Sequence, residues 1–234
     1  MLILVLSRNK FECDLKYIYP WKNKLIQRIT NMEKTEEHLI NRKGYGIPIS
    51  SLSANELEKL KNGARLLTVP QKNTAAVTML AFFPVGSRYE NEKINGVSHF
   101  VEHLMFKGTA RRPTTFDLPR ELDSLGEDYN AFTGKDHTAY YIKVNKDKAI
   151  QALELLQDML SGSLFEAKEI EREKGVIIEE INMYKDTPRV NVGNVLEEAM
   201  WPNDPLGRDT AGTPEIVKKF NAKIFGFEWK DDFS

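Results

Sequence analysis

Cysteine is almost missing from this chain of 234 residues, where Cys13 stands alone. One thiol cannot close an intramolecular disulfide, which excludes a stapled secreted scaffold and fits a reducing compartment, with cytoplasm as the default and the mitochondrial matrix as the alternative. An excess of one charge sign is missing too. Lys and Arg number 33 against 34 Asp and Glu, so the basic footprint of a nucleic-acid binder is absent. Long apolar runs are lacking as well. Residues 2–6 are apolar but far short of the roughly 20 residues that cross a bilayer, and no small-residue cleavage site marks them as a signal peptide, so no membrane partner is expected. Repeats and low-complexity tracts are absent, and the length suits one substantial domain plus an extension.

Histidine is scarce at four residues, yet two of them fall within His99-Phe100-Val101-Glu102-His103. Residues four apart stand one above the other on a helix, so both imidazoles can reach one ion. Glu102 stands beside them, where it can take a proton from a water at that ion. Val97, Phe100, Val101, Leu104, Met105 and Phe106 make the segment apolar almost all round, as in a buried helix. Asn95-Gly96 before it and Gly108 after it are start and stop signals. Charged or titratable groups in such a helix need partners or a metal. The order His-x-x-Glu-His is the inverzincin signature. Two hydrogen-bonded core histidines beside a surface glutamate would leave the same five letters, so the pentad alone does not decide.

Residues 170–185 have a helical period. Ile170, Val176, Ile177, Ile181, Met183 and Tyr184 fill one arc of the wheel, and charged residues fill the other. Glu173 and Glu180 break this rule by projecting into the apolar arc, stacked two turns apart. A carboxylate aimed at a core needs a cation. Glu180 is therefore the candidate third ligand, and Glu173 is a candidate outer-shell or proton-handling group. Glutamates at the edge of an amphipathic stripe are the alternative for this helix alone. His137, at a strand start, reads as structural, and His38 as solvated. Gly44-Tyr45-Gly46 lacks the setting of a phosphate loop and reads as a turn.

The order of elements predicts an α+β fold, a mostly antiparallel sheet packed against helices. Strands are expected at 64–69, 75–83, 129–133 and 138–144, with a turn at 71–73. Helices are expected at 115–125, 147–160, 167–185, 189–200 and 214–220, in addition to the histidine helix. Ser53-Ala54-Asn55-Glu56 has the composition of a cap on a short turn. Residues 1–53 read as an N-terminal extension of unknown role, 54–224 as the domain and 225–234 as a truncated tail.

With these residues in view, the chain resembles the pitrilysin-type metallopeptidases, the inverzincin family that includes insulin-degrading enzyme and the mitochondrial processing peptidase. In that family a glutamate follows the histidine pair by about 77 residues, and here 180 − 103 = 77. The resemblance also rests on Gly86-Ser87-Arg88-Tyr89-Glu90, Gly96-Val97-Ser98-His99, Phe106-Lys107-Gly108-Thr109, Asn130-Ala131-Phe132-Thr133, Thr138-Ala139-Tyr140-Tyr141, Glu171-Arg172-Glu173, Gly207-Arg208 and Gly212-Thr213. It implies one Zn2+ on His99, His103 and Glu180, with Glu102 as general base and Glu173 as an additional active-site glutamate. It also implies that Asn130, Ala131 and Phe132 form the strand receiving the backbone of a peptide substrate. Gly126-Glu127 stands where the family usually has Gly-Gly. Family members carry a second, similar domain, so a homologous domain or subunit, or a homo-oligomer, is an expected partner.

The function expected is that of a zinc endopeptidase, or its catalytic half, acting on extended peptides that add as a strand beside Tyr129–Thr133. Two alternatives stand beside it: a non-catalytic subunit that presents substrate, and a truncated zinc-binding product.

Overall fold

The computed structural model describes residues 2–5, 57–60, 64–70, 74–126 and 128–225. Cys13, His38, residues 44–46, the cap read at 53–56, the turn read at 71–73, Glu127 and the tail beyond 225 lie outside them. Six strands form one sheet: β1 (Leu2–Val5), β2 (Leu57–Lys59), β3 (Arg65–Thr68), β4 (Ala76–Phe83), β5 (Asp128–Thr133) and β6 (Thr138–Asn145). Their order is β2-β3-β1-β4-β6-β5. Every pairing is antiparallel except β1 with β4. The fold is thus the α+β architecture expected. One departure concerns the region read as an extension, because its residues 2–5 form a strand inside the sheet, between β3 and β4.

Among the described residues β5 is an edge of this sheet and pairs only with β6, in a register running from Asp128↔Lys143 to Thr133↔Thr138. Alternation along β4 and β6 turns Met79, Ala81, Phe83, Tyr140, Ile142 and Val144 to one core. Helices α1 (Val97–Leu104), α2 (Asp117–Ser124) and α3 (Ala149–Gly162) follow in chain order. Leu118 and Leu122 of α2, and Leu155 and Met159 of α3, close over that sheet face. A second core joins Val97, Phe100 and Leu104 of α1 to Ile170, Ile177 and Ile181 of α4 (Ala167–Lys185), with Val217, Phe220 and Phe225 beneath. Helices α5 (Pro188–Met200) and α6 (Pro214–Val217) complete the described α-helices.

α1 therefore lies between two cores, which is why it is apolar almost all round. Each fully buried side chain of Phe100 size contributes roughly 1.5–3 kcal/mol to holding it there. Its start is set by Glu90, a buried carboxylate. Oε2 accepts from Gly96 N at 2.7 Å and from Asn95 Nδ2 at 3.1 Å, and Oε1 accepts from Ser98 N at 2.8 Å. A carboxylate at a helix N-terminus satisfies donors that the helix leaves unpaired and complements its dipole.

The buried stripe of α4 is narrower than its sequence suggests. Ile170, Glu173, Ile177 and Ile181 are buried, whereas Val176 and Met183 are 48% and 54% exposed. Those two lie roughly 120–140° around the helix from the centre of the three isoleucines. The wheel grouped them with the core by residue type alone.

Candidate metal centre

α1 and α4 pack side by side, and polar residues of the two helices meet between them. His103 Nε2 lies 3.3 Å from His99 Nε2 and 3.3 Å from Glu180 Oε2, and His99 Nε2 lies 3.6 Å from that same oxygen. Ligands about 2.0–2.1 Å from a tetrahedral zinc ion stand roughly 3.3–3.4 Å from one another. The triangle of donors fits that ion, and its composition of two imidazoles and one carboxylate suits zinc. Among the described residues, His99, His103 and Glu180 are the one cluster of three or more His, Cys, Asp or Glu side chains placed to hold a metal.

The outer side of the centre is built as carefully. His103 Nδ1 is 2.9 Å from Glu173 Oε1, and Lys107 Nζ is 2.8 Å from Glu173 Oε2. Glu173 is only 1% exposed, so these two partners offset the cost of burying its charge. A proton on His103 Nδ1, donated to Glu173, leaves Nε2 as the lone-pair donor facing the cluster. Tyr184, one turn beyond Glu180, helps hold the Glu180 carboxyl below its ordinary range.

Electrostatics set the two histidines apart. His99 is pushed down to about 4, first by burial and then by the neighbouring His103, with Glu180 pulling the other way. Burial would lower His103 too, but hydrogen bonds to Glu173 and Glu180 carry it up to about 9. Without metal, the pair thus shares one proton at neutral pH, and His103 holds it. Glu173 and Glu180 are both lowered. For Glu173, burial pushes upward, but the His103 hydrogen bond and the Lys107 ammonium together outweigh it, and for Glu180 the His103 hydrogen bond leads. Glu102 is raised, chiefly by burial. A carboxylate held above its ordinary range is a better proton acceptor.

All eight side chains singled out in the sequence are in the described structure. His99, His103 and Glu180 converge, Glu102 lies beside them on α1, and Glu173 lies behind His103. Asn130, Ala131 and Phe132 occupy the edge strand β5, joined to the centre through Thr133, whose Oγ1 donates to Glu102 Oε2 at 2.5 Å. Ala131 N donates to Asn130 Oδ1 at 2.9 Å, and Phe132 is 42% exposed. Sequence reasoning assigned no role to Thr133, Lys107, Tyr184 or Glu90. Three of these lie inside segments that carry the family resemblance, and that was the available signal. His137, read as structural, stacks on Phe82 at 5.2 Å with Nδ1 2.8 Å from Asp136 Oδ1.

A sheet-and-helix layer that presents two histidines and a glutamate in this geometry defines a metallopeptidase-type domain. The family model described as Insulinase (Peptidase family M16) matches residues 65–214, and the chain belongs to that family. It is 38% identical over 161 residues to an uncharacterized zinc protease, YmxG, of Bacillus subtilis (strain 168), covering 69% of this chain and 39% of that protein. It is 37% identical over 163 residues to the mitochondrial-processing peptidase subunit beta of Dictyostelium discoideum, covering 70% of this chain and 34% of that one. The crystal structure of a protease from Helicobacter pylori superposes with a TM-score of 0.68 at 25% identity, over 74% of this chain and 42% of that chain. The chain thus spans well under half the length of these relatives.

Proposed function

We propose that this chain is the metal-binding half of a zinc-dependent endopeptidase, with His99, His103 and Glu180 as ligands and Glu102 as general base. The donor triangle of 3.3, 3.3 and 3.6 Å carries this reading. Zinc held there supplies Lewis acidity, which brings a water's pKa towards neutral and polarises a carbonyl. Glu102 accepts the proton of the attacking water and can return it to the leaving amine. Glu173 fixes the ring of His103. The free edge of β5 receives an extended peptide as an added strand, and Asn130, Ala131 and Phe132 bind it. The Ala131 N–H, now bonded to Asn130 Oδ1, is a donor that a peptide carbonyl can take over.

A second homologous domain or subunit completes the site in this reading. α5 supports it, since none of its residues is buried and Val190, Val192, Val195, Leu196 and Met200 are exposed. Apolar surface on that scale marks an interaction site. The working unit is residues 54–224, with residues 1–53 as an extension that lends a strand. Among the described residues no helix is long and apolar enough to cross a membrane. The single cysteine favours a reducing compartment, cytoplasm before mitochondrial matrix.

The test is cleavage of a quenched unstructured peptide, with zinc measured on the same sample and Glu102→Gln as control. Zinc near one per chain, with cleavage lost in Glu102→Gln, is expected. Full cleavage by Glu102→Gln, with contaminants excluded, would remove Glu102 from its role. Zinc without cleavage by the unaltered chain would favour the reading as a non-catalytic or incomplete subunit that needs its partner domain.

A further inference from the structure

The geometry points to Thr133 as the positioning residue for Glu102: its hydroxyl holds Oε2, so that Oε1 is the atom that accepts the proton. This inference rests on the peptidase reading above for its consequence, though not for the contact itself. Thr133 Oγ1 and Glu102 Oε2 are 2.5 Å apart, within the range of a charge-assisted O–H···O⁻ bond. The two residues are 31 positions apart and belong to different layers, so the bond is a tertiary strut between α1 and β5.

A hydroxyl has one proton to give. The nearest competitor for Thr133 is Thr138, its partner across the ladder, with Oγ1 3.5 Å away. Thr138 gives its own proton to Val85 O at 2.9 Å, and for the Thr133 proton a carboxylate oxygen at 2.5 Å is a far better acceptor than a hydroxyl at 3.5 Å. Thr133 is also well suited to hold a direction. It is β-branched and stiff at χ1, and the β5–β6 ladder fixes its backbone. Glu102 has three rotatable side-chain bonds and sits beside a metal centre whose own carboxylate, Glu180, repels it. Something must choose its rotamer, and the Thr133 hydroxyl makes the choice.

The placement has a functional consequence. β5 is the edge that receives the peptide, and Thr133 is its last residue. The base is therefore aligned by the same strand that aligns the scissile carbonyl, and any displacement of that strand moves both together. Misplacing a catalytic group by about 1 Å can cost on the order of a hundredfold in rate.

Thr133→Val removes the hydroxyl at nearly constant shape, and Thr133→Ser keeps it. In the zinc-loaded full chain, Thr133→Val should lower kcat on a quenched peptide by between about ten- and a hundredfold. KM and zinc content should stay within about twofold, and Thr133→Ser should recover most of the rate. Added to Glu102→Gln, Thr133→Val should cost nothing further. Wild-type kcat in Thr133→Val, or a loss confined to KM or to zinc content, would overturn the inference. A second measurement needs no turnover: a thermal-unfolding cycle of Thr133→Val and Glu102→Ala should give non-additive midpoint shifts. Additive shifts overturn the strut even if the chain cleaves nothing. Non-additive shifts in a chain that does not cleave uphold the strut and count against the peptidase reading instead.

Discussion

His103 Nδ1 and Glu173 Oε1 lie 2.9 Å apart, and Lys107 Nζ fastens the other oxygen of Glu173 at 2.8 Å. The carboxylate thus faces an imidazole on one oxygen and an ammonium on the other, which supports an orienting role over a proton-carrying one. Outer-shell partners of this kind are worth about 10- to 100-fold in metal affinity. Glu173→Gln should weaken zinc binding by about that factor, with Lys107→Met giving a smaller loss in the same direction. Chelator competition reads both, and unchanged affinity in Glu173→Gln would take the orienting role away.

Zinc binding should expel a proton. Ligating imidazoles must be neutral, yet His103 stands at about 9 in the metal-free chain while His99 is pushed down to about 4. Titration calorimetry near pH 7.5, in buffers of different ionisation enthalpy, should report about one proton released per zinc. The number should fall as pH passes about 9, and apparent affinity should rise with pH until then. Release near zero at neutral pH would show that His103 carries no proton there.

The same two groups shape the stability of the metal-free chain. His103, raised above its ordinary 6.5, contributes stability that is full below 6.5 and lost as pH rises through about 9. His99 is depressed, so the unfolded chain binds its proton more readily, and stability is lost as pH falls from 6.5 towards 4. The unfolding midpoint should be highest between these windows. Adding zinc should flatten the alkaline fall. A midpoint that keeps rising past pH 9 without metal would contradict the His103 assignment.

The centre was more legible than the frame that holds it. His99, Glu102 and His103 are local in sequence, and α4 runs over residues 167–185 as its periodicity implies. Glu173 and Glu180 stood out because charge inside a buried stripe requires a partner. β1 could not be read, because four apolar residues carry no alternation that names a neighbour. Its parallel partner β4 lies more than 70 residues away. Thr133, Lys107 and Glu90 act on groups in other elements, and only the packing brings those groups within reach.

Glu90 is 6% exposed and takes donors from Gly96, Ser98 and Asn95. Glu90→Ala leaves Gly96 N and Ser98 N without their acceptor at the first turn of α1, and Asn95 Nδ2 with Asp209 O alone, a loss of about 1–3 kcal/mol. Urea unfolding should show it. Because His99 follows Ser98 directly, zinc affinity should weaken as well, while Glu90→Gln, which keeps one acceptor oxygen, should lie between. Wild-type stability in Glu90→Ala would mean that water replaces the carboxylate.

Two glycines test the frame from opposite directions. Gly96 has φ +96° and opens α1, and a Cβ there would stand 2.4 Å from Ala211 O. Gly212, with φ +79°, would bring a Cβ within 2.3 Å of Asn95 O, so the two backbones pack face to face and lock the 205–213 segment onto the histidine helix. Alanine at 96 meets both left-handed strain and a backbone clash that no side-chain motion relieves. Gly96→Ala should therefore lose more than about 2 kcal/mol and weaken zinc binding. Gly175 lies inside α4, and a Cβ there meets nothing within 4 Å. Gly175→Ala should gain roughly 0.5–1 kcal/mol from helix propensity alone and leave zinc affinity untouched. Urea midpoints that move in opposite directions, with zinc affinity following only the first, would separate close approach of the backbone from simple loss of chain freedom. Midpoints that move together would mean that the α1 entrance relaxes around a side chain.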